Sequence, residues 1–175
     1  APTAGSGFSL PSLRASSACM TVMPVECVQD YPRPPRLEPV GQPLRVIFAG
    51  VPVAQADAGS AWRVLETHHA PTYYLPPAAI LAPALVPSGR ETICEWKGRA
   101  VYYDLVRSRN AAWSYPAPTA RFAQIRDHLA FYATSVDAAY VGDIRVLPQP
   151  GDFYGGWVTP NLTGKIKGAM GTLHW

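Results

Sequence analysis

From Leu44 onward, short runs of alternating apolar and polar residues are broken every few positions by Gly, Pro, Asn or Asp. Period-two alternation in runs of this length predicts half-buried strands. Leu44–Ala49 and Val51–Gln55 flank Gly50, and Ala61–Glu66 and Thr72–Leu75 are split by His68-His69-Ala70-Pro71. Thr92–Lys97 and Ala100–Arg107 read as a hairpin with Gly98 at its bend. Asn110–Tyr115 is a further strand, stopped by Pro116 and Pro118. Val136–Val141 and Ile144–Leu147 form a last hairpin across Gly142-Asp143. Pro77–Leu85 has room for a helical turn, and helical spacing is convincing only over Thr119–His128. There Phe122, Ile125 and Leu129 share a face and Thr119 can cap the N-terminus. The expectation is a mainly β single domain of short antiparallel strands with one helix, as an open barrel or two packed sheets. Residues 1–24 form a low-complexity arm, 25–147 the β-rich domain and 148–175 a Gly/aromatic tail. Within the domain, residues 25–43 carry Tyr31-Pro32-Arg33-Pro34-Pro35-Arg36, an extended lead-in packed on a surface.

The hairpin holds the densest chemistry. In Cys94-Glu95-Trp96-Lys97-Gly98-Arg99, strict alternation sends Cys94, Trp96 and Gly98 to one face and Glu95, Lys97 and Arg99 to the other. Such a segment is either an ordinary half-buried hairpin or the wall of a pocket that sets a few polar groups among rings.

Composition narrows the partners. With 48% hydrophobic residues the chain can build a core, while 15% charged residues, a net charge of +3 and no Lys/Arg run give no footprint for nucleic acid. The 19 prolines demand short elements. Cys19, Cys27 and Cys94 include no C-x-x-C pair and fit a reducing compartment. The longest apolar stretch, Ala78 to Val86, contains Pro83 and is too short to span a membrane.

Several blocks together resemble a known family. They are Asp30–Arg36, Leu65–Pro77, Cys94–Gly98, Ala112–Pro116, Gln149-Pro150-Gly151 and Phe153–Trp157. They are similar to the domain-of-unknown-function 427 (DUF427) proteins, in the longer form common in cyanobacteria and other bacteria. The likeness runs from about residue 26 to the end. It implies a small β-tent fold of the Mss4-like kind and no agreed activity. The family carries a label hinting at nucleotidyl transfer, but this chain has no Gly-rich phosphate loop and no paired metal-binding carboxylates. Many β-tent proteins hold zinc through two C-x-x-C pairs, and both are missing here. No metal and no cofactor is expected. His68, Ala70, Lys165-Ile166 and Ala169-Met170 depart from the family's usual residues, which bears on tail packing and, at His68, on any pocket.

The candidate site is Glu66, His69, Tyr74, Cys94, Trp96, Lys97 and Trp113. Glu66 and His69 stand three apart around a bend, where a carboxylate can orient an imidazole for acid–base work. Lys97 offers a positive charge for an anion, or an amine of depressed pKa if buried. Cys94 is a nucleophile candidate or a small core residue, and alternation keeps it from Lys97. Tyr74, Trp96 and Trp113 are the candidate aromatic walls of a ligand site. The ordinary alternatives are a carboxylate bonded to loop N–H groups, a turn histidine and core rings.

Two function classes follow. The first is a non-catalytic binding or structural module, an accessory subunit gripping other protein chains through residues 1–24, with Phe8, Leu10 and Leu13 as anchors. The second is an enzyme with a small pocket around Glu66, His69, Tyr74 and Lys97. The arm's Ala/Ser/Pro composition points to import into an organelle, a plastid ahead of a mitochondrion, with a cytoplasmic protein as the alternative.

Overall fold

A computed structural model of the chain describes residues 20–81, 85–172 and 174–175. The proposed arm anchors Phe8, Leu10 and Leu13, and Cys19, lie outside the described residues. The domain is mainly β, with many short strands and, among the described residues, no closed barrel. In chain order the strands are β1 (Glu26–Cys27), β2 (Arg36–Pro39), β3 (Leu44–Phe48), β4 (Val51–Ala56) and β5 (Trp62–Leu65). Then come β6 (Thr72–Tyr74), β7 (Leu85–Cys94), β8 (Gly98–Leu105), β9 (Ser108–Ser114) and β10 (Ala130–Phe131). The last are β11 (Ala138–Val141), β12 (Ile144–Arg145), β13 (Leu147–Pro148), β14 (Trp157–Val158) and β15 (Leu162–Thr163).

Two four-stranded sheets dominate, in the orders β12-β11-β3-β4 and β10-β9-β8-β7, beside a three-stranded sheet β2-β5-β6. Their pairings are antiparallel, whereas the small β1–β15 pair is parallel. Strand β9 is covered on both sides, since Ala111, Ala112, Trp113 and Ser114 are all buried. Ala112 belongs to a core with Leu44, Val46, Phe131 and Trp157. Trp113 belongs to a second core with Tyr74, Tyr102, Tyr115, Phe122 and Ile125. A reciprocal backbone pair between Leu75 and Leu129, both bonds 2.8 Å, ties β6 to the approach of β10. This bond sets Tyr74 opposite the β7–β10 sheet.

The helical element at 119–128 takes a different form from the one expected. Ala120–Ile125 is a pair of 3₁₀ turns, kinked at Phe122 with φ −114° and ψ 21°. The bonds Phe122 N–H to Thr119 O and Arg126 N–H to Ala123 O are i to i−3. Tertiary pairing forces this. Asp127 N–H bonds Tyr115 O at 3.2 Å, so the segment must return to its start. An α-helix of ten residues would carry its end about 15 Å away. Phe122 and Ile125 are still fully buried, so the apolar pattern marked the right side chains. Thr119 does not cap the segment with its side chain. Its hydroxyl donates to Trp96 O at 2.6 Å and its N–H to Lys97 O at 3.1 Å, clamping the β7–β8 turn.

The tail packs on the domain through Trp157, 1% exposed. Residues of the arm next to the domain also bond to it: Thr21 N–H donates to Asp143 Oδ1 at 2.9 Å, and Asn161 Nδ2 donates to Pro24 O at 2.8 Å. No helix among the described residues is long and apolar enough to cross a membrane.

Candidate functional site

The β7–β8 hairpin turns one step earlier than its glycine suggests. Cys94 pairs with Gly98, and Glu95-Trp96-Lys97 form a three-residue loop. Gly98 opens β8 with φ +97°, the left-handed position that closes such loops and that a side chain disfavours. Strict alternation therefore fails across residues 95–97. Cys94 and Lys97, expected on opposite faces, line one cavity. Trp96, expected in the wall, does not line it. The loop turns that indole aside against the second core, where its Nε1 is buried and unbonded among the described residues.

The cavity measures about 160 Å³. It lies between the β7–β10 sheet and β5–β6, and the tail closes one side. Glu66, His69, Tyr74, Cys94, Lys97 and Trp113 all line it. Its rings form a continuous wall. Tyr74 meets Trp113 edge-on at 6.5 Å and Tyr115 at 6.2 Å, and Trp113 meets Tyr132 at 4.6 Å. Register explains part of this, because Trp113 stands opposite Tyr102 across β8–β9.

Lys97 is the half-buried cation of the wall, with its Nζ 5.8 Å from the Tyr115 ring centre and 6.0 Å from that of Phe122. The ion pairs among the described residues do not include it. Burial opposes its charge most strongly, but Tyr74, Cys94 and Glu66 together outweigh burial and its pKa is raised. The depressed-pKa amine foreseen for a buried lysine is therefore not what forms. Lys97 stays an ammonium and cannot act as a free amine at neutral pH. Burial raises the Tyr74 and Tyr115 phenols, so both remain protonated hydrogen-bond donors.

The carboxylate–imidazole pairing is also not made. The backbone N–H of His69 bonds Glu66 O at 3.0 Å, but its Nδ1 lies 2.9 Å from Thr67 O. A carbonyl only accepts, so Nδ1 carries the proton and Nε2 is left as an acceptor. The Glu66 carboxylate instead faces Arg33, at 3.9 Å, and Arg33 also reaches Glu95 at 3.3 Å. The His69 ring packs edge-on against Tyr154 at 4.7 Å. His68 does not line the cavity; it lies 4.4 Å from the Trp175 ring.

Burial pushes the His69 pKa below its ordinary 6.5, and Lys167 and Lys97 add to this while Glu66 opposes it. The unfolded chain then binds more protons than the folded one, so stability falls as pH drops below about 6.5 toward the folded pKa. Chemical denaturation between pH 7.5 and 5 should show this loss, and His69→Gln should reduce it. An equal pH dependence in both proteins would contradict the assignment.

Gln149, Tyr154 and Tyr132 are among the lining residues that escaped the sequence reading of the site. Gln149 is buried; its Oε1 accepts Ala70 N–H at 3.2 Å and its Nε2 donates to Lys167 O at 3.0 Å. Tyr154 lies over His69, and Tyr132 donates its hydroxyl to Phe153 O at 3.0 Å. Gln149 and Tyr154 sit in blocks that carry the family likeness, which was their available signal. Gly155 crosses the Trp113 ring so closely that a Cβ there would lie 2.1 Å from it. Only glycine lets the tail close this side. No group of three or more His, Cys, Asp or Glu among the described residues could hold a metal ion.

The sequence profile described as "Domain of unknown function (DUF427)" matches residues 36–142. That stretch contains every wall residue except those of the tail. No curated protein matches the chain.

Proposed function

The chain belongs to the DUF427 family, and we propose that its domain is a non-catalytic binding module that takes a small ligand into the Lys97 cavity. One observation carries this: an ammonium is held in an aromatic cavity with no carboxylate of the described residues in an ion pair with it. An incoming anion would give that ammonium a direct charged partner inside the cavity. The enzyme alternative has less support. Among the described residues His69 has no carboxylate orienter, and Lys97 is not a free amine.

Ring-selective NMR on the full chain tests the proposal, using a set of neutral, anionic and cationic fragments of about ten heavy atoms. Fragments should shift the Tyr74, Trp113 and Tyr115 rings and be recovered unchanged. Turnover abolished by His69→Gln would instead establish the enzyme. A set in which no fragment moves these rings would refute the binding module.

A further inference from the structure

Charged groups of both signs stand around the cavity. Arg33 stands at the Glu66 wall, Arg90 lies 4.6 Å from the Tyr102 ring centre and Lys167 lies 5.4 Å from that of Tyr154. The carboxylates nearby are Glu66 and Glu95, paired with Arg33, Glu91, paired with Arg99, and Asp152 beside the lining Phe153. Inside, Lys97 is the lining lysine or arginine. A lone ammonium is a point charge suited to one negative group, whereas phosphate recognition favours several donors or an arginine fork.

The rest of the wall adds shape and polarity. Tyr74, Trp113 and Tyr115 present ring faces and edges, which favour a flat partner. The Glu66 carboxylate and Nε2 of His69 are acceptors, so a ligand hydroxyl or amine would satisfy them. The volume, about 160 Å³, is close to that of an apolar cavity of about 150 Å³ that admits benzene. Ile93 and Phe153 line the mouth and are 77% and 57% exposed, so a substituent can reach solvent there.

Resting on the binding reading above, we infer that the ligand is a small aromatic carboxylate bearing a hydroxyl or amino donor. Its carboxylate takes Lys97, its ring lies among Tyr74, Trp113 and Tyr115, and its donor goes to Glu66 or His69.

Calorimetric titration of the full chain with 4-hydroxybenzoate, benzoate, phenol, phenyl phosphate and benzamidine tests this. Binding should weaken from 4-hydroxybenzoate to benzoate to phenol, with phenyl phosphate and benzamidine behind 4-hydroxybenzoate. Lys97→Met keeps most of the stem and removes the charge. It should weaken 4-hydroxybenzoate about 10- to 100-fold, the range for a charge-assisted hydrogen bond, and leave phenol nearly unchanged. A thermal melt confirms that the variant is folded. Tighter binding of phenyl phosphate or benzamidine, or equal losses for phenol and 4-hydroxybenzoate in Lys97→Met, overturns the ligand class and leaves the binding module standing. Failure of all five probes to bind the folded wild-type protein overturns both.

Discussion

Trp157→Ala should cost about 3–5 kcal/mol of stability, enough to leave a typical domain at the margin of folding. Trp157 is 1% exposed in the main core, although it lies in the glycine-rich tail. Its indole stacks on Tyr73 with centroids 5.2 Å apart and an interplanar angle of 29°. Its Nε1–H donates to Phe131 O at 2.9 Å, and its backbone N–H bonds Pro71 O at 2.9 Å. Truncation removes the ring contacts, opens a cavity and leaves the Phe131 carbonyl short of a partner. For a domain of this size, each kcal/mol shifts Tm by about 2–4 °C, so a fall of roughly ten degrees or more is expected. Trp157→Phe keeps a ring and loses the bond, and should fall between wild type and alanine. A Tm within one or two degrees of wild type for Trp157→Ala would show that the tail does not stabilise the core.

Arg63→Leu should be the second large loss, about 2–4 kcal/mol at neutral pH once partial exposure is allowed for. Arg63 is 18% exposed at its side chain and bonds two carboxylates, Glu26 at 3.0 Å and Glu38. Tyr31 donates its hydroxyl to Glu26 in turn. This network links β1 to β2 and β5, and so pins residues preceding the family match to the domain. Without the guanidinium, among the described residues Glu26 keeps only the Tyr31 hydroxyl and Glu38 only the more exposed Arg36, at 3.4 Å. Arg63→Lys should restore only part of the loss because an ammonium lacks the fork. A variant as stable as wild type at pH 7 would mean the cluster contributes no net stability.

These two residues also mark how far the sequence could be read. Alternation placed the strands well: Leu44–Phe48 and Val51–Ala56 flank the expected turn, and Trp62–Leu65 and Thr72–Tyr74 flank the expected break. A strand's side-chain period is local, so the chain itself shows it. The Arg63 network joins residues 25 and 37 positions apart, and no local pattern encodes which carboxylates meet that arginine. Gly98 announced a turn, but register decides whether two or three residues form it. That single step removed Trp96 from the cavity wall and brought the expected Lys97 to the same side as Cys94. The 119–128 segment had helical spacing, yet the Tyr115–Asp127 bond converted it to 3₁₀ turns. The cavity was legible through residue types that cluster in the sequence, Glu66, His69, Tyr74, Cys94 and Lys97. Its closure by Gln149 and Tyr154 was not, because the tail's course depends on contacts distant in the chain.

On the proposed binding reading, the Lys97 ammonium, in no ion pair among the described residues, receives an anion in the aromatic cavity. The most direct measurement is the ¹H–¹⁵N spectrum of the lysine ammonium groups during titration with 4-hydroxybenzoate, with Lys97 assigned by its loss in Lys97→Met. The Lys97 resonance should shift saturably, together with the rings of Tyr74 and Trp113. A Lys97 signal that stays fixed while the probe saturates other residues, or that never saturates, would contradict the claim.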